Sequence, residues 1–264
     1  AQEGYTLFAP IGYTSTYLID NAGRLVHEWQ TGARPSLSAY LTEDGKLLRS
    51  ELLPDPVLKG GGAGGRIRMW DWDGTLLWTW DYSNDSVQLH HDFEPMPNGN
   101  ILVIAWETKT RAQAIAAGRR FDLVREGGLW PDHILEVRPI FPEGGEIVWE
   151  WHTWDHLIQD QFPMQPNYGV VAEHPERINI NYPDDGKAAL NTDWMHSNAV
   201  AYNADLDQIL LTVRDFNEIW IIDHSITTEE AAGSTGGRYG KGGDLLYRWG
   251  NPAAFDMGCL LYTS

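Results

Sequence analysis

Two short patterns alternate along this chain, and their alternation constrains the fold more than any other feature. The first is an apolar strand, a turn rich in Asp, Asn or Gly, and a second strand that closes on Trp. It runs from Tyr17 to Trp29 and returns from Ile67 to Trp80. It recurs from Ile134 to Trp151 around Gly144 and Gly145, and from Ile219 to Trp249 around a Gly-rich loop at 233–243. The second pattern is an apolar strand, a polar turn and another apolar strand, at 37–48, 91–104 and 198–211. Each copy is a hairpin signal, because Asp-Gly, Asn-Ala-Gly and Gly-Gly supply the positive φ angles that tight turns demand.

One hairpin of each kind makes a four-stranded unit. Such units repeating every ~40–50 residues are the mark of an all-β propeller, whose blades are four-stranded sheets. The four closing Trp motifs imply about four blades, some incomplete. Composition agrees: 13 Trp and 12% aromatic residues suit pleated sheets, and 27 Gly and 14 Pro suit many turns. The closing Trp residues read as buried aromatics. Two inserts break the spacing. Residues 108–132 include a short helix over 111–119, and residues 155–192 are a polar, Pro-rich excursion over one face. Residues 1–257 therefore read as one partial propeller domain, and residues 258–264, which leave the pattern, as a spurious tail. The Gly60–Gly65 run reads as a flexible turn and not a nucleotide loop, since no Lys-Ser/Thr follows.

Charge narrows the function. The formal net charge is −18, so phosphate backbones and anionic lipid surfaces are repelled, and nucleic-acid or membrane-surface roles are disfavoured. An anion is bound only through a local cationic pocket. The single cysteine, Cys259, excludes an intrachain disulfide and a cysteine zinc site. No apolar run of about 18 residues marks a membrane helix. The opening Ala1-Gln2-Glu3, without Met, is compatible with signal-peptidase cleavage or a fragment boundary. With the low Cys content and acidic surface, it points to a periplasmic or secreted location.

Three clusters carry potential chemistry. His90-His91-Asp92 stands at the head of an apolar strand, where a propeller's innermost strand lines the central channel. Asp193-Trp194-Met195-His196-Ser197-Asn198 stands at the head of the matching strand in another copy. His91 and His196 thus hold equivalent places in one repeat, although which of His90 and His91 faces the channel stays open. Arg214 ends the apolar strand 209–213, where a charge is costly without an anionic partner or ligand. A salt bridge to Asp215 or Glu218 is the structural alternative. Together His91, His196, Asn198 and Arg214 are a donor-rich set suited to an oxyanion such as sulfate, because Arg offers a planar fork and His and Asn add hydrogen bonds. His27, His133, His152, His156, His174 and His224 read as structural, with Asp155-His156 at a possible pocket mouth. Asp71, Asp73, Asp81 and Asp85 read as turn residues without calcium-loop spacing.

At these residues the sequence resembles the bacterial arylsulfotransferase family. The resemblance is carried by His90-His91-Asp92 followed by Pro97-Asn98-Gly99-Asn100. It is also carried by Asp193 to Asn198, leading to Arg214 and 215–223, and by Tyr17 to Gly23 and Arg248 to Pro252. It implies a six-bladed propeller that moves a sulfuryl group from an aryl sulfate to a phenol, through a sulfated histidine and without a nucleotide sulfate donor or other cofactor. By analogy with phosphoryl transfer, such chemistry is mostly positioning and charge stabilisation. The resemblance places His196, Asn198 and Arg214 on the sulfuryl oxygens, with His91 or His90 assisting the phenolic oxygen as acid or base. It also implies that the nucleophile lies in a later blade. The chain alone is then expected to be inactive and poorly behaved, since an open ring leaves unpaired sheet edges. Two other classes remain: a metal-dependent propeller hydrolase using His90, His91, Asp92 and His196, and a non-catalytic binding propeller.

Overall fold

The computed structural model describes residues 3–184, 186 and 188–258. It is all-β, built mainly of antiparallel sheets with two short α-helices among the described residues. The first sheet holds β1 (Tyr5–Phe8), β2 (Ser15–Asp20) and β3 (Leu25–Gln30), in that order. The second holds β4 (Pro35–Leu41), β5 (Leu47–Leu52), β6 (Gly65–Trp70) and β7 (Leu76–Asp81), each paired to the next. The third is formed in the same sequential order by β8 (Val87–Pro95), β9 (Ile101–Glu107), β10 (Asp132–Pro139) and β11 (Gly145–His152). A two-residue parallel pair follows, β12 (Leu157–Ile158) with β13 (Ile178–Asn179). The last sheet holds β14 (Ser197–Asn203), β15 (Gln208–Val213), β16 (Glu218–Asp223) and β17 (Tyr247–Gly250).

Each four-stranded sheet is one hairpin of the second sequence pattern followed by one of the first. The turn chemistry explains why. Between β6 and β7, Asp71 Oδ1 accepts the Thr75 N–H at 2.7 Å and Gly74 takes φ 84°, so Asp and Gly close the hairpin. Burial then follows the pleat: along β15, Ile209, Leu211 and Val213 are buried and the residues between them are partly open. Strand β9 is buried at every position, which its unbroken apolar run, Ile101 to Trp106, anticipates. No described helix is long and apolar enough to cross a membrane.

Packing divides the chain into two compact units, Ala1–Val103 with Glu136–Val148, and Ile104–Leu135 with Trp149–Ser264. Buried indoles need a partner for the ring N–H. In the first unit Trp29 donates to Asp71 O at 2.9 Å and Trp78 to Gly144 O at 2.7 Å. In the second, Trp149 donates to Ile226 O at 3.0 Å and Trp151 to Gly243 O at 2.7 Å. Each indole fills space beside its sheet and fixes the loop it faces. Trp249 departs from the expectation of burial: on edge strand β17 it is 65% exposed, because no described element covers that ring. The lone Cys259 and the tail expected to be spurious lie outside the described residues, Gly258 apart.

The insert 108–132 carries the expected helix, α1 (Arg111–Ala116). A capping box starts it: Thr110 Oγ1 accepts the Gln113 N–H, and Gln113 Oε1 accepts the Thr110 N–H. The short α2 (Thr228–Ala231) begins the same way, with Thr227 and Glu230. Just after α1, the buried Arg119 guanidinium donates to Leu123 O and Ala189 O at 3.2 and 2.8 Å and to Ile180 O. It joins the insert to the 155–192 excursion and lies over the Trp194 ring, 5.6 Å from its centroid.

Candidate functional site

The two histidines that the repeat makes equivalent share a rare backbone state. His91 has φ 49° and His196 has φ 52°. The left-handed region costs a non-glycine residue on the order of 1–3 kcal/mol and persists where surrounding structure imposes it, often at functional positions.

In the first unit, the His91 N–H donates to Gly62 O at 2.8 Å and the His91 ring lies against Gly62. A Cβ on Gly62 would sit 2.3 Å from the His91 ring, and Gly62 itself has φ 77°. The glycine run is therefore a close-fitting floor for an imidazole and not merely a flexible turn. His90 Nδ1 and His91 Nδ1 are 2.9 Å apart, so one ring donates and the other accepts. Ser38 Oγ donates within this cluster, 3.0 Å from His91 O and 2.6 Å from Asp92 Oδ1, and Tyr40 OH donates to Asp92 Oδ1 at 3.0 Å. Both imidazoles are buried. The cavity beside them is about 10 Å³, room for one water at most.

In the second unit, His196 Nδ1 lies 2.5 Å from Asp193 Oδ2, and Asp193 Oδ1 accepts the Trp106 indole N–H at 2.9 Å. This fixes the ring. With Nδ1 carrying the hydrogen toward the carboxylate, Nε2 is the second nitrogen of the ring and bears a hydrogen only in the imidazolium form. The Asp193 hydrogen bond raises the His196 pKa above the ordinary imidazole value, against burial and the Arg214 charge, which pull it down. The next residue is held equally firmly: the Ser197 N–H donates to Asp132 Oδ2 at 2.9 Å. Asp132 is buried in β10, and that burial pushes its carboxyl up to about 7, against the Ser197 hydrogen bonds and the nearby His196.

Asn198 sits where the β14–β15 register shifts between Ser197 and Ala199, and a bulge of this kind re-aims a side chain. It is exposed, and its Oδ1 accepts the Thr212 hydroxyl at 2.7 Å, leaving the amide N–H groups as donors. Arg214 opens the one-turn 3₁₀ segment Arg214–Phe216 between β15 and β16. The Asp215 N–H donates to Met195 O at 3.0 Å, which ties this turn to the residue before His196. The expected cost of a charge at this strand end is not incurred, because the turn lifts the Arg214 side chain to 59% exposure. Among the described residues its carboxylate neighbour is Asp215, 3.5 Å away, while Glu218 is engaged by Arg248, with Nε 2.9 Å from Oε1. Arg214 lines two concavities. One, about 280 Å³, is shared with Asn198, Thr212 and Trp249. The other, about 770 Å³, is shared with Arg125, Asn191, Thr192 and Asp215.

Of the residues singled out in the sequence, Asn198 and Arg214 line one concavity in the second unit, the Asp215–Met195 backbone bond ties the Arg214 turn to the residue before His196, and His90 and His91 meet in the first unit. Asp193, three residues before His196, is legible as its carboxylate partner from spacing alone. Asp132, Trp106 and Arg125 are not, since they come from β10, β9 and the first insert. His156 does not reach a pocket mouth: it is buried, with Nδ1 2.8 Å from Asp244 Oδ1 and Nε2 2.8 Å from Ala231 O. Among the described residues no group of three or more His, Cys, Asp or Glu side chains is placed to hold a metal ion, which leaves the metal-hydrolase alternative without a ligand set there.

The chain matches the sequence model of the family described as Arylsulfotransferase (ASST) over residues 11–230. No curated protein matches it. Among solved structures it is similar to a protein of unknown function from Bacteroides caccae, with 14% identity, a TM-score of 0.45, and coverage of 95% of this chain and 59% of that one. It is also similar to the dihydro-heme d1 dehydrogenase NirN in complex with DHE, with 12% identity, a TM-score of 0.33 and coverage of 93% and 37%. A third is a putative 6-phosphogluconolactonase from Bacteroides uniformis, with 10% identity, a TM-score of 0.35 and coverage of 95% and 69%. The chain spans less than two thirds of the length of the first two.

Proposed function

The chain belongs to the arylsulfotransferase family, and on that premise we propose that its protein moves a sulfuryl group from an aryl sulfate to a phenolic acceptor, with His196, Asn198 and Arg214 holding the transferring group. The observation that carries this reading is the donor set itself. In a protein of net charge −18, an amide and a guanidinium line one concavity, and an imidazole whose pKa Asp193 raises precedes strand β14, which carries that amide.

The physical demand of the reaction is to stabilise oxyanions as the S–O bond of the donor breaks. The bond pair leaves on the phenolate oxygen while a histidine nitrogen lone pair forms the S–N bond of a sulfo-enzyme. An acceptor phenol oxygen then forms the new S–O bond as the S–N bond breaks, the S–N electron pair returning to the histidine nitrogen and the phenolic proton passing to water. Donors fixed in advance act on the charge that develops, without reorganising. Here Asp193 and Trp106 fix His196, and the Asp215–Met195 bond fixes the turn that carries Arg214. The test uses protein expressed from the complete gene, incubated with 4-nitrophenyl sulfate. Nitrophenolate should be released when a phenol is present, with the sulfuryl group recovered on that phenol by mass spectrometry. Sulfuryl recovered only as inorganic sulfate, with no acceptor dependence, would instead mark a hydrolase.

A further inference from the structure

The larger concavity beside Arg214 holds a second guanidinium that the transfer chemistry does not use. Arg125 and Arg214 line the same space of about 770 Å³, together with Asn191, Thr192 and Asp215. That volume lies within the ~300–1,000 Å³ of small-molecule sites. Some arginines of this chain are neutralised at close range: Arg66 Nε is 2.6 Å from Asp81 Oδ1 and Arg120 Nη2 is 2.6 Å from Asp122 Oδ2. Arg125 has no such carboxylate among the described residues, and Arg214 has only Asp215 at 3.5 Å. Asp215 is the one carboxylate among the described lining residues, and burial raises its pKa, weakening its hold on a proton-free state.

The loop that presents Arg125 is built, not loose. The Gly128 N–H donates to Arg125 O at 3.0 Å, and Gly128 needs to be glycine, because at φ 75° an added Cβ would lie 2.1 Å from Lys109 O. Lys109 and Leu129 exchange two backbone hydrogen bonds, at 2.8 and 2.9 Å, and the Trp130 N–H donates to Thr192 O at 2.7 Å. The last bond anchors the Arg125 loop to a segment that lines the same concavity. A loop backbone held this way loses little freedom when an anion arrives.

Resting on the sulfuryl-transfer reading above, we propose that Arg125 selects aryl sulfates that carry a second anionic group on the ring: the sulfate lies at Arg214 and the second anion pairs with Arg125. A doubly charged donor answers both guanidinia, whereas a donor with a neutral ring leaves Arg125 to water.

The probes are 4-carboxyphenyl sulfate and 4-nitrophenyl sulfate, whose ring substituents match in shape and differ by one charge. Calorimetric titration of the protein expressed from the complete gene should show the carboxylate probe binding about 10-fold tighter at low salt, the increment of one charge-assisted pair. Arg125→Ala should remove that advantage while changing 4-nitrophenyl sulfate affinity by less than about 2-fold, and Arg125→Lys should keep part of it. The exposed loop position keeps folding out of the comparison. An unchanged preference in Arg125→Ala overturns the assignment and leaves the transfer reading standing. Failure of either probe to bind the parent protein removes both.

Discussion

With His196 replaced by asparagine, aryl-sulfate turnover falls about 10²–10³-fold, the loss typical of removing one preorganised oxyanion donor, while the melting temperature stays within a few degrees of the parent. Asparagine is chosen because position 196 has φ 52°, a backbone state that Asn tolerates better than most residues. The substitution therefore removes the ring without adding much strain. The effect is pH-dependent in a defined direction. The Asp193 hydrogen bond, the largest influence on His196, raises its pKa above the ordinary ~6.5. The imidazolium is the form that donates to a sulfuryl oxygen. In the parent protein kcat/KM should accordingly hold on the acid side and fall as pH rises through that raised value. Asp193→Asn removes the carboxylate that favours the charged form, so the fall should begin at lower pH, even where the low-pH plateau is retained. Steady-state kinetics across pH 5–10 checks both variants. A His196→Asn protein with near-parental kcat/KM would remove His196 from the site, and an unshifted profile in Asp193→Asn would reduce that pair to packing.

Arg119→Met should be strongly destabilising to the second unit, at about 3–5 kcal/mol. Its guanidinium is wholly buried and serves the carbonyls of Leu123, Ile180 and Ala189, with no carboxylate among its hydrogen-bond partners in the described residues. Burial pulls its pKa down to about 10, which still leaves it charged at neutral pH. Methionine matches the stem but makes no hydrogen bond, so several buried acceptors lose their donor at about 1–3 kcal/mol each, offset in part by the desolvation that Arg no longer suffers. For a chain of this size each kcal/mol moves the melting point by roughly 2–4 °C, so calorimetry should find a drop on the order of 10 °C. Arg120→Met, next in sequence but paired to Asp122 at the surface, should change little. Because Arg119 also lies over Trp194, two residues before His196, the same variant should loosen the segment that carries the site. A melting point within about 2 °C of the parent would show that backbone repacking supplies these carbonyls by other means.

Strand order was legible in the sequence because hairpins are local. The Asp71–Gly74 turn and the Asn98–Gly99 turn announce themselves in consecutive residues, and the alternation of two hairpin types sets which strands meet. The pairing of His91 with His196 as repeat equivalents was legible for the same reason, and their shared φ reflects it. The residues that hold the site in place were not legible. Asp132, Trp106 and Arg119 act across long sequence separations, such as the 65 residues from Asp132 to Ser197, and no local pattern encodes a partner that distant. Gly62 was visible only as part of a glycine run, and its reason is an imbalance of space: an imidazole occupies the volume any side chain there would need. Trp249 departs from the repeat because a closing Trp is buried only when another element lies over its strand.

The most direct measurement is a crystal structure of protein expressed from the complete gene, soaked with 4-nitrobenzylsulfonate, which keeps the shape of an aryl sulfate but has a C–S bond that does not transfer. The sulfonate oxygens are predicted to lie about 2.7–3.1 Å from the Arg214 guanidinium and the His196 ring, the range of charge-assisted hydrogen bonds. A sulfonate seated elsewhere, with both side chains untouched, would contradict the account.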